Sequence, residues 1–458
     1  MAGPCAVAES DLAKRIDLSR YRAVLAGPER CYWLGMLASR VGLDGPAPPG
    51  EPASPKVQFR RAPAGKIGVG LIQPGIWSGG AERYHLDLFR ALDPSRYRVV
   101  GTATTGPCLD SPLRAEYLAA GPVGEDGDSA NRLANACDII LTWGMGRLIE
   151  RLPVGTHRAR IVSISHGQCG FTRNAVAGAI EAGASVCAIV SEDCRKTVPE
   201  TFGGPVHVAM PAIDPGRLEP RITREEQRRA WGIPDGYRVA LHVARPSPEK
   251  RCHLGYRALP DGWCYVLIGT GPDLERTRED AARTANGPAI FPGHTDDVGS
   301  ALAAADVCLL PSEREGCSIA GLEAHAATVP LIATPVGLYA EHPEFARIVP
   351  RDCTPADVGR AMLAAIEDVY GTAVRTNTAW CHTATYHTPE AFARTWTAIL
   401  DSVSPPKPDM ALIRRWKDCP HRVKAAGCGC ATCSGGPKDG QRVPLLADCL
   451  GCPVIAHA

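Results

Sequence analysis

The sequence predicts an α/β protein of two doubly wound, parallel-sheet domains facing a cleft, followed by a small cysteine-rich tail. Three observations carry this reading. At 458 residues, 45% hydrophobic and 22% charged, the chain is too long for one ordinary core and too apolar to be disordered. From residue 66, short and almost continuous apolar runs alternate with stretches of helical spacing, as expected of strands covered on both faces. The alternation comes in two sets of six strands, with Ile213-Asp214-Pro215-Gly216 ending the first and Trp231-Gly232-Ile233-Pro234-Asp235 introducing the second.

Residues 1–64 show little periodicity and include the proline-rich stretch 45–55, which suits neither helix nor strand, so they are expected to be an appendage and linker. The first domain is placed at 65–211, with strands at 66–72, 98–104, 137–143, 160–165, 185–191 and 205–210. The second is placed at 212–388, with strands at 237–244, 263–269, 288–292, 306–311, 330–334 and 345–350. Apolar residues at 3.6-residue spacing predict helices at 81–92, 272–285, 296–304, 319–327, 354–370 and 389–403, the last within a separate segment 389–404. Residues 405–458 turn to Gly, Pro, Cys and basic residues and cannot form a core unaided.

Fifty Lys and Arg against 49 Asp and Glu leave a net charge of +1, so no global field would hold nucleic acid. An anionic ligand has to be met by a local site. The first residues lack a basic region followed by an apolar core, and no run approaches a membrane span, which together predict a cytoplasmic protein with at most peripheral membrane contact. Thirteen of the 19 cysteines are scattered singly from Cys5 to Cys381, a distribution that suits reduced thiols in a core.

In open α/β sheets, ligands bind at the carboxyl ends of strands, where loops lead into helix N-termini. Four such loops stand out. After strand 66–72, Gly79 and Gly80 open a helix and would let a phosphate or sugar approach the backbone, although a tight turn with an ordinary cap uses the same residues. After strand 237–244, Arg245 and Lys250 lie in one turn and could offset the charge of a diphosphate. The alternative there is a solvated turn with Lys250 paired to Glu249. After strand 306–311, Glu315 lies on the loop and Glu323 about two turns into the next helix, flanking the free amides of Cys317, Ser318, Ile319 and Ala320, although a helix-start carboxylate and a solvated or salt-bridged face account for the two acids equally simply. After strand 160–165, His166 sits at the rim where the domains would meet and could hydrogen-bond a sugar or acceptor, although a loop histidine without a role is the alternative. Two acids eight residues apart carry no information as spacing, because a chain of this composition holds roughly five such pairs by chance.

Each of these motifs directly follows a predicted strand. In that arrangement the chain resembles the family 4 retaining glycosyltransferases of the GT-B fold. The resemblance covers about 65–403 and is strongest after 237, through Val239 to Lys250, Leu267 to Pro272, Phe291 to His294, Ala303 to Glu315 and Leu322 to Gly337. It implies that Arg245 and Lys250 bind the donor diphosphate, Glu323 the ribose and Glu315 the transferred sugar. It further implies that the amides of Cys317 to Ala320 hold the distal phosphate, that Gly79, Gly80 and His294 line the donor site, and that His166 touches the sugar. The 389–403 helix would cross back to brace the first domain. Where the family usually has Gly-Phe-Gly, this chain has Gly316-Cys317-Ser318, a difference that bears on the sugar rather than on the phosphate.

The function implied is transfer of a sugar from a nucleotide-diphosphate donor to an acceptor hydroxyl on a glycan, a lipid-linked molecule or a small molecule. The transfer would be retaining and independent of metal. Two other readings stay open at this point: a catalytically silent nucleotide-sugar-binding scaffold, and a nucleotide-sugar epimerase or phosphorylase on the same fold. In the tail, Cys430, Cys433, Cys449 and Cys452 form two C-x2-C pairs at the spacing of a four-thiolate zinc site, which would make the tail a stabilising module or a dock for a protein partner; an iron–sulfur cluster drawing on Cys419, His421 or Cys428, and thiols without metal, are the other readings.

Overall fold

The computed structural model describes residues 56–77, 79–104, 111–126, 128–145, 159–271 and 273–403, together with the backbone of 422–424 and 431–433. The elements bearing on the first sheet are β1 (Ile67–Gln73), α1 (Gly80–Ala91), β2 (Tyr97–Thr104), α2 (Arg114–Ala120), β3 (Val123–Gly124), α3 (Ser129–Ala136), β4 (Ile139–Thr142), β5 (Arg160–Ser165), α4 (Gly170–Glu181), β6 (Ala184–Ile189) and β7 (Val206–Val208). A short 3-10 turn, Pro215–Leu218, and α5 (Arg224–Ala230) lead into the second set. That set comprises β8 (Arg238–Val243), α6 (His253–Tyr256), β9 (Trp263–Ile268), α7 (Leu274–Thr284), β10 (Ala289–Gly293), α8 (Val298–Ala304), β11 (Val307–Leu310), α9 (Ile319–Ala326), β12 (Leu331–Ala333), α10 (Leu338–Glu341), β13 (Arg347–Ile348), α11 (Pro355–Glu367), α12 (Val369–Tyr386) and α13 (Pro389–Val403).

Both sheets are parallel. Their strand orders are β3-β2-β1-β4-β5-β6-β7 and β10-β9-β8-β11-β12-β13. Each order reverses between its first strand and the one beside it, β1 with β4 and β8 with β11, which is where a doubly wound sheet opens a crevice for ligands. The apolar runs that predicted these strands are buried on both faces: every residue of β9 and of β4 is buried. On one face of the first sheet, Val69, Leu71, Ile139, Leu141 and Val162 pack with α1. On the other, Ile72, Ile140 and Ile161 pack with Leu133 of α3 and Ala179 of α4. The second sheet is sandwiched likewise, Leu241 and Val266 facing Leu322 of α9, and Tyr265 and Leu267 facing Met362 of α11.

The return helix α13 adds its apolar face to the first core, with Phe392, Trp396, Ile399 and Leu400 all buried there. The turn before it is tied to the connection between the sheets, since Ile213 N–H donates to His387 O at 2.7 Å and His387 Nδ1 lies 2.9 Å from Pro211 O.

The structure departs from the sequence expectations in several places. The first sheet has seven strands, because the two-residue β3 pairs on the edge beside β2, and two residues are too few to show a period. Helices α2 to α5 went unpredicted. The expected helix 354–370 stops at Glu367, where Asp368 accepts from Gly371 N–H at 2.9 Å and starts the separate α12. Within α12 only Ala379 and Thr383 are buried, so it has no apolar stripe to read. Residues 57–61, expected to be linker, are attached to α3: Arg132 Nε donates to Val57 O at 3.1 Å, and Phe59 packs into the first core.

The chain divides into a compact unit 1–403 and a second unit, 404–458. Within the second unit, β14 (Arg422–Lys424) and β15 (Ala431–Cys433) pair antiparallel, with Arg422 opposite Cys433. Cys430, Cys449, Cys452 and the Cys433 side chain lie outside the described residues. Among the described residues, no helix is long and apolar enough to cross a membrane.

Candidate functional site

The loop from β11 to α9 forms the floor of the site. Ser318 is the N-cap of α9, its hydroxyl accepting from Gly321 N–H at 3.2 Å, so the helix opens where the sequence places its free amides. Beside this loop runs the turn after β8, a short 3-10 segment, Pro248–Lys250, closed by Arg251 in the left-handed region at φ 47°. The Arg251 guanidinium donates to Pro311 O at 2.6 Å and to Ser312 O at 3.2 Å, and Glu313 N–H donates to Glu249 O at 2.8 Å. These bonds hold the two loops side by side. Lys250 therefore reaches across, and its Nζ donates to Glu315 Oε1 at 2.6 Å, an oxygen that also accepts from Ser312 Oγ at 2.8 Å.

A pair between Lys250 and Glu249 is not formed. Glu249 instead accepts from Ser247 Oγ at 2.7 Å and lies 3.6 Å from Arg245 Nη2. The Arg245 side chain remains 41% exposed, enough to meet a ligand. The loop after β9 runs close beside it: at Gly271 a Cβ would come within 2.7 Å of both Arg245 Cγ and Pro246 O, so only glycine allows that approach.

The facing wall comes from the first sheet. Gly79 is the N-cap of α1, its N–H donating to Glu82 Oε2 at 3.1 Å, while Gly80 lies against Ile319, the first residue of α9. Glu82 is buried, which raises its carboxyl above the ordinary value, and the Arg245 charge on the opposite wall pulls it back down. His166, at the end of β5, has its Nε2 3.0 Å from Nε2 of the fully buried His85 and stands edge-on to the Tyr84 ring. Burial depresses the basicity of both imidazoles, that of His166 to about 3.

The two walls touch directly. Gln168 Nε2 donates to Glu315 O at 2.9 Å and to the Asp193 carboxylate, Ser191 Oγ donates to Gly316 O at 2.8 Å, and Asp193 Oδ2 accepts from Gly337 N–H at 3.0 Å. His166 O lies so close to Gly316 that a Cβ there would meet it at 2.3 Å. Cys317 packs against the cores of both sheets, and burial raises its thiol well above the ordinary value.

Glu323 lies one turn into α9 and not the two expected, because the helix begins only at Ile319; it is 5% exposed, and Arg217 Nη2 lies 3.4 Å from its Oε1. Burial raises its carboxyl to about 7, an effect that Arg217 and Arg83 oppose. The sequence-predicted residues Gly79, Gly80, His166, Lys250, Glu315, Cys317, Ser318 and Ile319 are thus linked by direct contacts, with Arg245 beside them. His294 is exposed after β10, and no hydrogen bond or ion pair joins it to this group among the described residues.

Several residues of the site were not singled out from sequence. Arg217, Gln168, Ser191 and Asp193 sit on turns without a motif. Gln73 and His85 did leave a signal: one is a polar residue ending an apolar strand, and the other falls on the line of Ala81, Leu88 and Leu92 whose spacing predicts α1. Among the described residues, no group of three or more His, Cys, Asp or Glu is arranged to hold a metal ion.

Residues 238–368 match the sequence family described as Glycosyl transferases group 1. The chain is 35% identical over 118 residues to TuaC of Bacillus subtilis, a protein named for a glycosyltransferase role in teichuronic acid biosynthesis. It is 30% identical over 150 residues to the D-inositol 3-phosphate glycosyltransferase of Corynebacterium urealyticum. The matched segments cover 25% and 29% of this chain, and it spans only 29% and 35% of the length of those two relatives. Among solved structures, Anabaena Alr3699/HepE in complex with UDP and glucose superposes with a TM-score of 0.64 at 16% identity, over 73% of this chain and 100% of that one. WaaG, a glycosyltransferase involved in lipopolysaccharide biosynthesis, superposes with a TM-score of 0.54 at 16% identity, over 71% and 98%.

Proposed function

We propose that this chain, which carries a Glycosyl transferases group 1 domain on a GT-B fold, transfers a sugar from a nucleotide-diphosphate donor to an acceptor hydroxyl. One observation carries the reading. Four loops far apart in sequence, each following a parallel strand, meet where Gly80 faces Ile319, His166 faces Gly316 and Lys250 grips Glu315.

Arg245 and Lys250 bind the diphosphate in this proposal, with the Cys317 to Ala320 amides at the start of α9. Both cations now face carboxylates, Glu249 and Glu315, which a diphosphate would displace as partners. Glu315, so released, accepts from hydroxyls of the transferred sugar, and Glu323 from those of the ribose. The acceptor oxygen bonds to the anomeric carbon as the bond from that carbon to the phosphate oxygen breaks. The acceptor's proton passes to a phosphate oxygen, and Arg245, Lys250 and the helix amides stabilise the charge of the departing diphosphate. Because these groups are fixed cations and backbone donors, the step is assigned without metal, and attack from the leaving-group face gives retention.

The UDP and glucose bound by Alr3699/HepE support a nucleotide-sugar donor, and the first sheet is assigned to the acceptor. The ten described cysteines are all unbridged, which supports a cytoplasmic setting. The tail is assigned a structural zinc on Cys430, Cys433, Cys449 and Cys452, and a role in docking a protein partner.

The test is release of nucleoside diphosphate by the purified full chain from UDP-, GDP- and TDP-sugars, with and without added glycan acceptors. Release that is lost in the double variant Arg245→Ala, Lys250→Ala supports the reading. A folded wild-type chain that binds donor without turnover is a scaffold, and recovery of an epimerised nucleotide-sugar makes it an epimerase; either result overturns the transfer assignment.

A further inference from the structure

Behind His166 lies a chain of buried polar groups that the transfer reaction does not itself use. Trp143 Nε1 lies 3.1 Å and His85 Nδ1 3.0 Å from the same atom, Gln73 Oε1. His85 Nε2 in turn faces His166 Nε2 at 3.0 Å. Gln73 and His85 are both fully buried, and Gln73 Nε2 has no partner.

The hydrogens of this chain follow from one fixed donor. An indole N–H only donates, so the Gln73 atom facing it has to be the carbonyl oxygen. Reversing the amide would set NH2 against N–H and still leave one amide atom unpartnered. With the oxygen placed, His85 Nδ1 at 3.0 Å must carry a hydrogen to donate. Burial keeps both imidazoles neutral at ordinary pH, so a His85 protonated at Nδ1 has a bare Nε2. The hydrogen between the rings then belongs to His166 Nε2, and the remaining His166 nitrogen, Nδ1, is left without one. No described residue hydrogen-bonds to it.

We infer that Trp143, Gln73 and His85 form a relay that fixes His166 as the Nε2–H tautomer, presenting the Nδ1 lone pair to a hydroxyl of the bound sugar. The contact with a sugar rests on the function proposed above; the tautomer does not. His85, Gln73 and Trp143 are positioning residues that decide whether His166 accepts or donates. A group bringing a hydrogen-bond donor to Nδ1 is favoured, whereas a carboxylate, as in a uronic acid, would set its lone pairs against that of the nitrogen. A site built from fixed, buried polar groups discriminates strongly in this way.

Nitrogen-15 NMR of the full chain, selectively labelled at histidine, reads each tautomer directly. At pH 7 the expected spectrum has His85 protonated at Nδ1 only and His166 at Nε2 only. A His166 protonated at Nδ1, or an imidazolium at either ring, overturns the relay. In His85→Phe the Nε2 hydrogen of His166 loses its acceptor, so the restriction to one tautomer should relax into a measurable mixture with the Nδ1–H form, and a His166 that stays wholly Nε2–H in a folded variant also overturns it. Hexose donors carrying UDP, GDP or TDP are then added in turn. The donor that binds should perturb the His166 Nδ1 resonance while its free nucleoside diphosphate leaves it in place, and binding without that perturbation overturns the acceptor role. Failure of every donor to bind would remove the cleft reading while the ligand-free spectrum still decides the tautomer.

Discussion

Trp396 donates its indole N–H to the Tyr84 hydroxyl at 3.0 Å, and that hydroxyl donates onward to Ala209 O at 2.7 Å, joining residues 312 positions apart in the sequence. Both side chains are almost fully buried, and both stand edge-on to Phe392. Trp396→Ala should therefore cost about 3–5 kcal/mol of stability, the range for emptying a large aromatic site. Tyr84→Phe should cost about 1–3 kcal/mol, because it leaves a buried N–H and a buried carbonyl without a partner. Denaturant midpoints of the two variants check both figures, and a Tyr84→Phe variant as stable as wild type would show that the hydroxyl bonds contribute nothing.

Lys250→Ala should lower transfer by about 100- to 1000-fold, the usual loss when one preorganised charge-stabilising donor is removed. Arg245→Ala should weaken binding of the free nucleoside diphosphate as well, since its exposed guanidinium reaches ligand before any chemistry. Turnover rates and calorimetric titration with UDP separate these two effects. Wild-type turnover in both variants would exclude the turn after β8 from the site.

Glu323 titrates near neutrality. Its carboxyl is raised from the ordinary 4.5 to about 7 by burial, so the folded chain holds a proton that the unfolded chain releases at lower pH. The resulting stabilisation is complete below about 4.5 and is lost as the pH rises through about 7. Glu323→Gln should flatten the stability profile across that window. If Glu323 accepts from the ribose hydroxyls as proposed, the ionised carboxylate should also make nucleotide binding tighter at pH 8 than at pH 6. Titrations at the two pH values check this, with Glu323→Gln expected to erase the difference.

The purified full chain should carry about one zinc ion, the stoichiometry of a single four-thiolate site. Elemental analysis checks this, and Cys430→Ser combined with Cys449→Ser should remove the metal. Zinc retained by that double variant would place the site elsewhere.

Sequence patterning made both sheets legible, because a strand buried on two faces is apolar throughout. It failed where burial was partial or the element very short, as with β3, and with α12, whose exposed Val369, Tyr370 and Trp380 blur any stripe. At the candidate site, loops beginning at strand ends singled out Arg245, Lys250, Glu315 and the start of α9, which the structure places close together. The partners of those residues were not legible, because they depend on how separate loops lie together. Lys250 turns from its neighbour Glu249 to Glu315 only because Arg251 ties two loops into register.

The return of α13 to the first sheet also constrains the order of events as the chain is made. Residues 67–208 leave the ribosome early, yet Phe392, Trp396, Ile399 and Leu400, which complete the core of that sheet, emerge only after the whole second sheet has been synthesised. The half made first must therefore wait, with an open apolar face, for the half made last.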